Sequence, residues 1–259
     1  MAECVIETRD LRVQLNKKEI LHGLDLQIPK GKITVILGPN GCGKSTTLKA
    51  LCRLLAYSGS VRFDGQEVSK VDGRQFARRV AILAQNPQAP ADLRVEDLVK
   101  MGRFPYRSFF GSSTEDDYAC VEYALKQTGM MLHRQRVLST LSGGERQRAW
   151  IAMALAQKPE VLFLDEPTSY LDICHQLEVM NLVQTLNREL GLTVVMVLHD
   201  ITQALACASH VVVIRDGSLM AQGAPVIVDG ELLKKVFGVR VEEFSFANGQ
   251  RVVVPASLI

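Results

Sequence analysis

One stretch near the start of the chain decides the fold, because a short apolar run leads directly into a glycine-rich loop. It reads Ile33-Thr34-Val35-Ile36-Leu37-Gly38-Pro39-Asn40-Gly41-Cys42-Gly43-Lys44-Ser45. The run at residues 33–37 is typical of a strand that is buried on both faces, and a helical pattern begins at Lys44. The loop fits the spacing G-x-x-x-x-G-K-[ST] in the strand–loop–helix context that this pattern requires.

The loop predicts a phosphate site. Glycines let backbone amides approach an anion closely, and a helix N-terminus adds about half a positive charge at the same place. Lys44 is placed to reach the β- and γ-phosphates of a nucleotide, and Ser45 to give its hydroxyl to Mg²⁺. The alternative is a glycine-rich turn with a chance Lys-Ser pair. We expect nucleotide contacts from Gly38, Pro39, Asn40, Gly41, Cys42, Gly43, Lys44, Ser45 and Thr46.

A second apolar run, at residues 161–164, ends in Asp165 and Glu166. A buried parallel strand delivers such acids to the carboxyl edge of the sheet, where ligands bind in open α/β folds. Asp165 fits the role of a magnesium ligand, and Glu166 is placed to polarise a water for in-line attack on a γ-phosphate. The alternative is two solvated acids at the end of a strand.

Alternation of buried strands and helices predicts a parallel sheet covered by helices. The predicted pairs are residues 33–37 into 44–54, 161–164 into 171–190, and 193–198 into 202–208.

Two further patterns predict antiparallel structure, and one predicts helices. Leu24, Leu26 and Ile28 share one side of a candidate strand, and residues 61–63 precede the turn signal at 64–65. These pieces predict a small antiparallel sheet. Residues 247–250 predict a hairpin turn between strands at 244–246 and 251–254. Residues 90–157 carry helical patterns.

Composition limits the class of protein. The chain has 259 residues, of which 47% are hydrophobic and 22% charged, with a formal net charge of +2. This balance is typical of a globular protein and too even for a nucleic-acid binder. Apolar runs are far shorter than the roughly 18 residues of a membrane span. Charges in the first ten residues disfavour a secretory signal, and six cysteines without a C-x-x-C pair favour a reduced, cytosolic protein.

A third glycine-rich stretch, Leu141-Ser142-Gly143-Gly144-Glu145, resembles the signature of ATP-binding-cassette ATPases. Other motifs follow the order of that family. Gln85 resembles the Q-loop glutamine, the stretch from Ser169 to Asp172 resembles the D-loop, and His199 resembles the switch histidine. The resemblance covers essentially the whole chain.

The resemblance implies an α/β fold of the P-loop NTPase type, with a mainly parallel sheet, an antiparallel β subdomain and a helical subdomain. It implies one ATP-binding domain over residues 1–259. Within it, residues 1–85 and 158–259 would form the nucleotide-binding core, and residues 86–157 the helical subdomain with the signature.

It also implies an ATPase that uses ATP and Mg²⁺. The implied catalytic residues are Glu166, His199, Gln85 and Lys44, and the implied metal-binding residues are Ser45, Gln85 and Asp165. Two copies would pack head-to-tail around two ATP molecules, and Ser142, Gly143, Gly144 and Asp172 would complete the site of the partner copy.

Three short stretches resemble the sequences of iron–siderophore importers, with haem and cobalamin importers as near alternatives. They are residues 102–106, 170–176 and 199–204. This implies permease subunits, indirectly an extracytoplasmic substrate-binding protein, and a place at the cytoplasmic face of a bacterial inner membrane, without nucleic acid. The competing classes are a soluble cassette ATPase acting on DNA or ribosomes, and a regulatory module that closes on ATP without turnover. Glu166 argues against the second.

Aromatic side chains after Gln85 have two interpretations: packing within the helical subdomain, or a cleft that grips a permease helix. They are Phe104, Tyr106, Phe109 and Phe110. We assign no chemistry to His22, His133, His175 and His210.

Cys42 lies where a helix N-terminus can lower a thiol pKa. We therefore expect alkylation of Cys42 to block nucleotide binding.

Leu15 occupies the place where many family members stack an aromatic ring on adenine. Because leucine offers apolar contact without a π-face, we expect weak discrimination for adenine and ready acceptance of GTP. Turnover of ATP and GTP, measured side by side, checks this. A strong preference for ATP that disappears in Leu15→Ala would contradict it.

Overall fold

A computed structural model of the chain describes residues 3–90, 92–107, 114–245 and 251–258. The strands in this part are β1 (Cys4–Leu15), β2 (Lys18–Leu24), β3 (Gln27–Pro29), β4 (Ile33–Leu37), β5 (Ser58–Phe63), β6 (Gln66–Glu67), β7 (Val80–Leu83), β8 (Val161–Asp165), β9 (Thr193–Val197), β10 (His210–Arg215), β11 (Ser218–Gly223), β12 (Val239–Ser245) and β13 (Arg251–Leu258). The α-helices are α1 (Lys44–Leu51), α2 (Gly73–Arg79), α3 (Val95–Met101), α4 (Glu115–Gln127), α5 (Gly143–Ala156), α6 (Ile173–Leu190), α7 (Ile201–Cys207) and α8 (Gly230–Phe237).

The chain divides into two compact units. Unit one comprises residues 1–70 and 195–259, and unit two comprises residues 71–194. The predicted division into a nucleotide-binding core and a helical subdomain has other bounds and stays a prediction. None of the helices in the described residues combines the length and apolar composition needed to cross a bilayer.

Unit one contains the predicted antiparallel sheet, in the order β2-β1-β5-β6, with β3 paired to β1. Tight two-residue turns join its hairpins. Asn16 and Lys17 connect β1 to β2, and Asp64 and Gly65 connect β5 to β6, all with positive φ. Such turns match the right-handed twist of the strands. The turn predicted at residues 64–65 is confirmed.

The prediction that Leu24, Leu26 and Ile28 share one strand is wrong, although all three are buried. The chain leaves β2 at Leu24 and enters β3 after Leu26. Thr8 of β1 explains the break, because its hydroxyl donates to the Leu24 carbonyl at 2.7 Å and accepts the Leu26 N–H at 2.9 Å. A side chain thus takes the hydrogen bonds that a continuous ladder would make.

In unit one, the strand that leads into the glycine-rich loop lies in a parallel pair. β4 pairs in parallel with β10, and β10 pairs antiparallel with β11. Every residue of β4 is buried, as its apolar run predicts. Helix α1 ends at Leu51 and not at residue 54, because Arg53 takes a left-handed φ of 59°. β12 and β13 form the predicted hairpin, whose turn lies outside the described residues.

Unit two combines a buried parallel pair, β7 and β8, with helices. The described part of residues 90–157 contains helices α3, α4 and α5, which pack on one another, and no strand. The helical prediction for this segment is confirmed. Helix α6 begins at Ile173, two residues later than predicted, because the Asp172 side chain caps it by accepting the His175 N–H at 2.9 Å.

A buried arginine links the three helices. Arg103 is 2% exposed, and it donates to Asp117 at 2.7 Å, to the Ala156 carbonyl at 3.0 Å and to Asp116 at 2.9 Å. Burial by itself raises the pKa of Asp117, but the Thr114 N–H and Arg103 together bring that pKa below its ordinary value. The carboxylate therefore stays charged beside the guanidinium.

Replacing Arg103 with methionine should lower the free energy of unfolding by about 3–5 kcal/mol, because it leaves Asp117 buried without its cation. Urea unfolding measures the change. Arg79→Gln is the matched control, since Arg79 pairs with Glu160 in a more exposed place, where such pairs contribute about 0–1 kcal/mol. Equal decreases in the free energy of unfolding of the two variants would show that burial does not make the Arg103 ion pairs more stabilising than an exposed pair.

Candidate functional site

The glycine-rich loop between β4 and α1 has a backbone that other residues cannot follow. Gly38 has a φ of 154°, and a Cβ there would lie 2.0 Å from the Ile214 carbonyl oxygen of β10. Gly43 has a φ of 104°, and a Cβ would lie 2.7 Å from the Leu21 side chain. The Cys42 carbonyl accepts the Gly217 N–H at 3.0 Å. Glycines are thus required by close packing as well as by backbone angle.

The N-terminus of α1 fits an anionic ligand. Among the α-helices of the described residues, α1 is the one whose start has neither a side-chain cap nor an acidic residue in its first turn. Its positive end is therefore not neutralised by a carboxylate of its own first turn. Phosphate oxygens are the ligands that such a helix start and a glycine-rich loop accept.

Lys44 lies over this loop. Its side chain is buried, and Nζ donates to the Gly38 carbonyl at 2.8 Å and to the Pro39 carbonyl at 2.9 Å. These bonds hold a positive charge at the loop. Ser45 and Thr46, the next residues of α1, are partly exposed.

The expectation of an activated thiol at Cys42 is wrong. Burial raises the pKa of Cys42 above its ordinary value, and the charge and N–H of Lys44 do not outweigh that effect. The side chain is 4% exposed. Desolvation of the thiolate therefore exceeds the stabilisation by the helix start. The effect of alkylation on nucleotide binding stays a prediction, without the lowered pKa on which it was based.

The two acids after β8 have different surroundings. Asp165 is the last residue of the strand and is buried. Glu166 has a left-handed φ of 52°, and its Oε2 accepts hydrogen bonds from Gln85 Nε2 and from Ser169 Oγ, the latter at 2.8 Å. The structure thus brings Gln85 and Glu166 together. Ser169 lies inside the D-loop stretch, but no sequence pattern predicts that its hydroxyl donates to Glu166.

The signature begins helix α5. Ser142 is exposed and forms a capping box with Glu145: Ser142 Oγ accepts the Glu145 N–H at 3.2 Å, and Glu145 accepts the Ser142 N–H at 2.8 Å. The role of Glu145 was missed, although the spacing S-x-x-E is the known signal of such a box.

Asp172 and the signature approach each other through His175. The Asp172 carboxylate lies 2.8 Å from His175 Nδ1. A Cβ on Gly144 would lie 2.2 Å from the His175 ring, so only glycine fits there. His175 thus contacts two of the predicted site residues, although the sequence analysis assigned it no chemistry.

Two predicted residues stand in other parts of unit one. His199 is exposed between β9 and α7, next to Asp200, which caps α7 by accepting the Gln203 N–H at 2.9 Å. Leu15 ends β1 and is partly exposed, opposite Lys18 of β2.

Of the four aromatic residues that follow Gln85 in the prediction, Phe104 and Tyr106 lie in the described residues, and they support different interpretations. Phe104 is 60% exposed. Tyr106 packs within the unit, because its hydroxyl donates to the Gln157 carbonyl at 2.9 Å and the Arg103 guanidinium lies 3.9 Å from its ring centre. Phe109 and Phe110 lie outside the described residues.

Comparison with known proteins agrees with the site. The family model described as ABC transporter matches residues 21–169. The iron(3+)-hydroxamate import ATP-binding protein of Bacillus subtilis (strain 168) is 42% identical over 92% of this chain and 89% of its own length. The achromobactin transport ATP-binding protein of Dickeya dadantii (strain 3937) is 46% identical over 90% and 87%. A structure titled as an inward-facing conformation of a putative metal-chelate type ABC transporter superposes with a TM-score of 0.85, at 25% identity, over 99% of this chain and 98% of that chain.

Proposed function

Because this chain belongs to the ABC transporter family, we propose that it is the ATP-hydrolysing subunit of an importer that takes up a ferric siderophore or a related iron chelate through a separate membrane permease. The observation that carries the choice of substrate class is the 42–46% identity, over about nine-tenths of the chain, to two import or transport proteins of this kind.

The nucleotide phosphates bind the loop of residues 38–46. Backbone amides and the start of α1 attract the anion, and Lys44 adds a positive charge. The bonds from Lys44 to the Gly38 and Pro39 carbonyls hold the ammonium ready over the loop. Leu15 provides the apolar contact for the base.

Glu166 is the general base. Its carboxylate accepts the proton of the water that attacks the γ-phosphorus, while the bond from that phosphorus to the ADP oxygen breaks. The hydrogen bonds from Gln85 and Ser169 fix the orientation of the carboxylate. A left-handed φ at a non-glycine residue is a strained conformation of the kind found at functional sites, which supports this role. His199 contacts the γ-phosphate.

Ser45, Gln85 and Asp165 would hold Mg²⁺. They supply a hydroxyl, an amide and a carboxylate oxygen, the donors that this ion prefers. When bound, the ion neutralises charge on the phosphates.

A second copy of the chain completes each site. Ser142, Gly143 and Gly144 offer the start of α5 to the γ-phosphate bound by the partner copy. Ser142 and Gly143 are exposed, Gly144 is buried against His175, and Asp172 lies beside that histidine. A two-fold pairing makes the two sites equal. ATP thus joins the two copies, and hydrolysis releases them.

The permease is the second partner, and through it the chain lies at the cytoplasmic face of a bacterial inner membrane. An open groove of about 400 Å³ in unit two supports a partner at this place, because it is lined by Asn86, the residue next to Gln85. Arg146 and Trp150 line it, and both residue types are enriched at interface anchors. An extracytoplasmic binding protein would deliver the chelate to the permease.

Glu166→Gln should lower kcat roughly 10²- to 10⁴-fold, because the amide accepts no proton, and should trap an ATP-bound dimer. Phosphate release gives the rate, and size exclusion with and without Mg-ATP gives the mass. Glu160→Gln, a substitution of a surface acid just before β8, should hydrolyse ATP normally and stay monomeric between turnovers. A Glu166→Gln protein that binds ATP but remains a monomer would refute the proposed pairing.

The substrate class is tested by uptake. In a strain that lacks this chain, the wild-type chain should restore accumulation of radioactive iron given as a ferric siderophore, and Lys44→Ala should not. Haem iron supplied in parallel is the comparison. Restoration for haem without restoration for any siderophore would place the chain with haem importers.

A further inference from the structure

Two basic residues, His133 and Arg136, lie next to the glutamate that caps the signature helix. Glu145 accepts the Ser142 N–H through Oε2, and its Oε1 lies 3.6 Å from His133 Nε2 and 3.6 Å from Arg136 Nη1. Glu145 and His133 are partly buried. The carboxylate therefore holds the start of α5 on one side and faces the two basic side chains on the other.

These side chains are themselves held in place. Arg136 Nη1 lies 3.2 Å from His133 Nδ1, and Nη2 donates to the Thr140 carbonyl at 2.5 Å. A guanidinium only donates, so His133 Nδ1 accepts and its ring hydrogen lies on Nε2, towards Glu145. The Arg136 carbonyl also accepts the Val95 N–H at 3.0 Å, which fixes the segment to the start of α3.

Charge explains why such a cluster matters at this place. The N-terminus of α5 carries a partial positive charge, and the Glu145 carboxylate already lies next to it. A γ-phosphate arriving at Ser142 would bring a second anion to the same place, and the two anions repel. A guanidinium and a ring N–H behind Glu145 offset that repulsion without removing the cap.

We propose that His133 and Arg136 are positioning residues for the signature: the His133 ring N–H holds Glu145 and the Arg136 guanidinium offsets its charge, so that the start of α5 keeps its shape and accepts the γ-phosphate bound by a second copy of the chain. The inference rests on the proposed function of Ser142. Hydrogen bonding from the Ser142 N–H, together with the nearby Arg136 guanidinium, lowers the pKa of Glu145 below its ordinary value, which is consistent with a charged cap.

The test uses the full-length chain in the Glu166→Gln background, where ATP drives dimerisation. Arg136→Gln should raise the ATP concentration for half-maximal dimerisation about fivefold or more. Arg136→Lys, which keeps the charge, should recover part of the loss. Arg134→Gln is the matched control, because Arg134 is two residues away, 41% exposed against 42% for Arg136, and pairs with Glu96 instead. Equal shifts in Arg136→Gln and Arg134→Gln would overturn the proposal.

A second pair of variants covers the case in which Arg136→Gln does not fold. His133→Gln can still donate to Glu145 and accept from Arg136, whereas His133→Leu can do neither. We expect near-normal dimerisation for glutamine and weakened dimerisation for leucine. The same result for both would overturn the positioning role of His133.

A double-mutant cycle separates this inference from the proposed function. Ser142→Ala should weaken ATP-driven dimerisation, and adding Arg136→Gln should then weaken it less than in the parent, because both substitutions act on one helix start. If Ser142→Ala weakens dimerisation and the two effects simply add, the signature role stands and the positioning role is refuted. If Ser142→Ala changes nothing, the proposed role of the signature fails, and the inference fails with it.

Discussion

The close approach of the phosphate loop to strand β10 is the constraint on which the nucleotide end of the molecule depends. Gly38 passes so near the Ile214 carbonyl that no side chain fits, and the Cys42 carbonyl is tied to the turn after β10. This packing fixes where α1 begins. That helix has no side-chain cap and no acid in its first turn, which supports the phosphate site proposed at its positive end. The same backbone conformation of the loop thus allows its close packing on β10 and sets the proposed phosphate site.

The helix starts of α1 and α5 both follow glycine-rich stretches, but they differ in whether a carboxylate lies in the first turn. Helix α1 begins without a local anion and with Lys44 folded over the loop, which suits strong binding of several phosphates. Helix α5 begins with its own carboxylate, Glu145, balanced by basic neighbours. A capped start should bind a further anion weakly, which fits the proposed contact that forms with ATP and separates after hydrolysis. The difference fits a primary site and a site completed by a second copy.

Residues that sequence reasoning missed share one property: they act through other residues. Ser169 orients Glu166, and His175 links Asp172 to Gly144. Helix ends were misjudged for a similar reason. Asp172 caps α6 and so delays its start, while the left-handed Arg53 ends α1 early. Such effects depend on single hydrogen bonds and backbone angles, which average patterns of hydrophobicity do not encode.

The strand–loop–helix unit, the acids at the end of a buried strand and the α/β class are predictable from the amino-acid sequence, because apolar runs and glycine spacing are local properties with few structural solutions. Other properties depend on the folded structure. It raised the pKa of Cys42 by burying a thiol that its helix position would activate. It also gathered His133, Arg136 and Glu145 from segments that carry no common motif. Burial and side-chain contacts in the folded chain set these properties, because desolvation and Coulomb energies depend on three-dimensional neighbours and not on a recognisable sequence pattern.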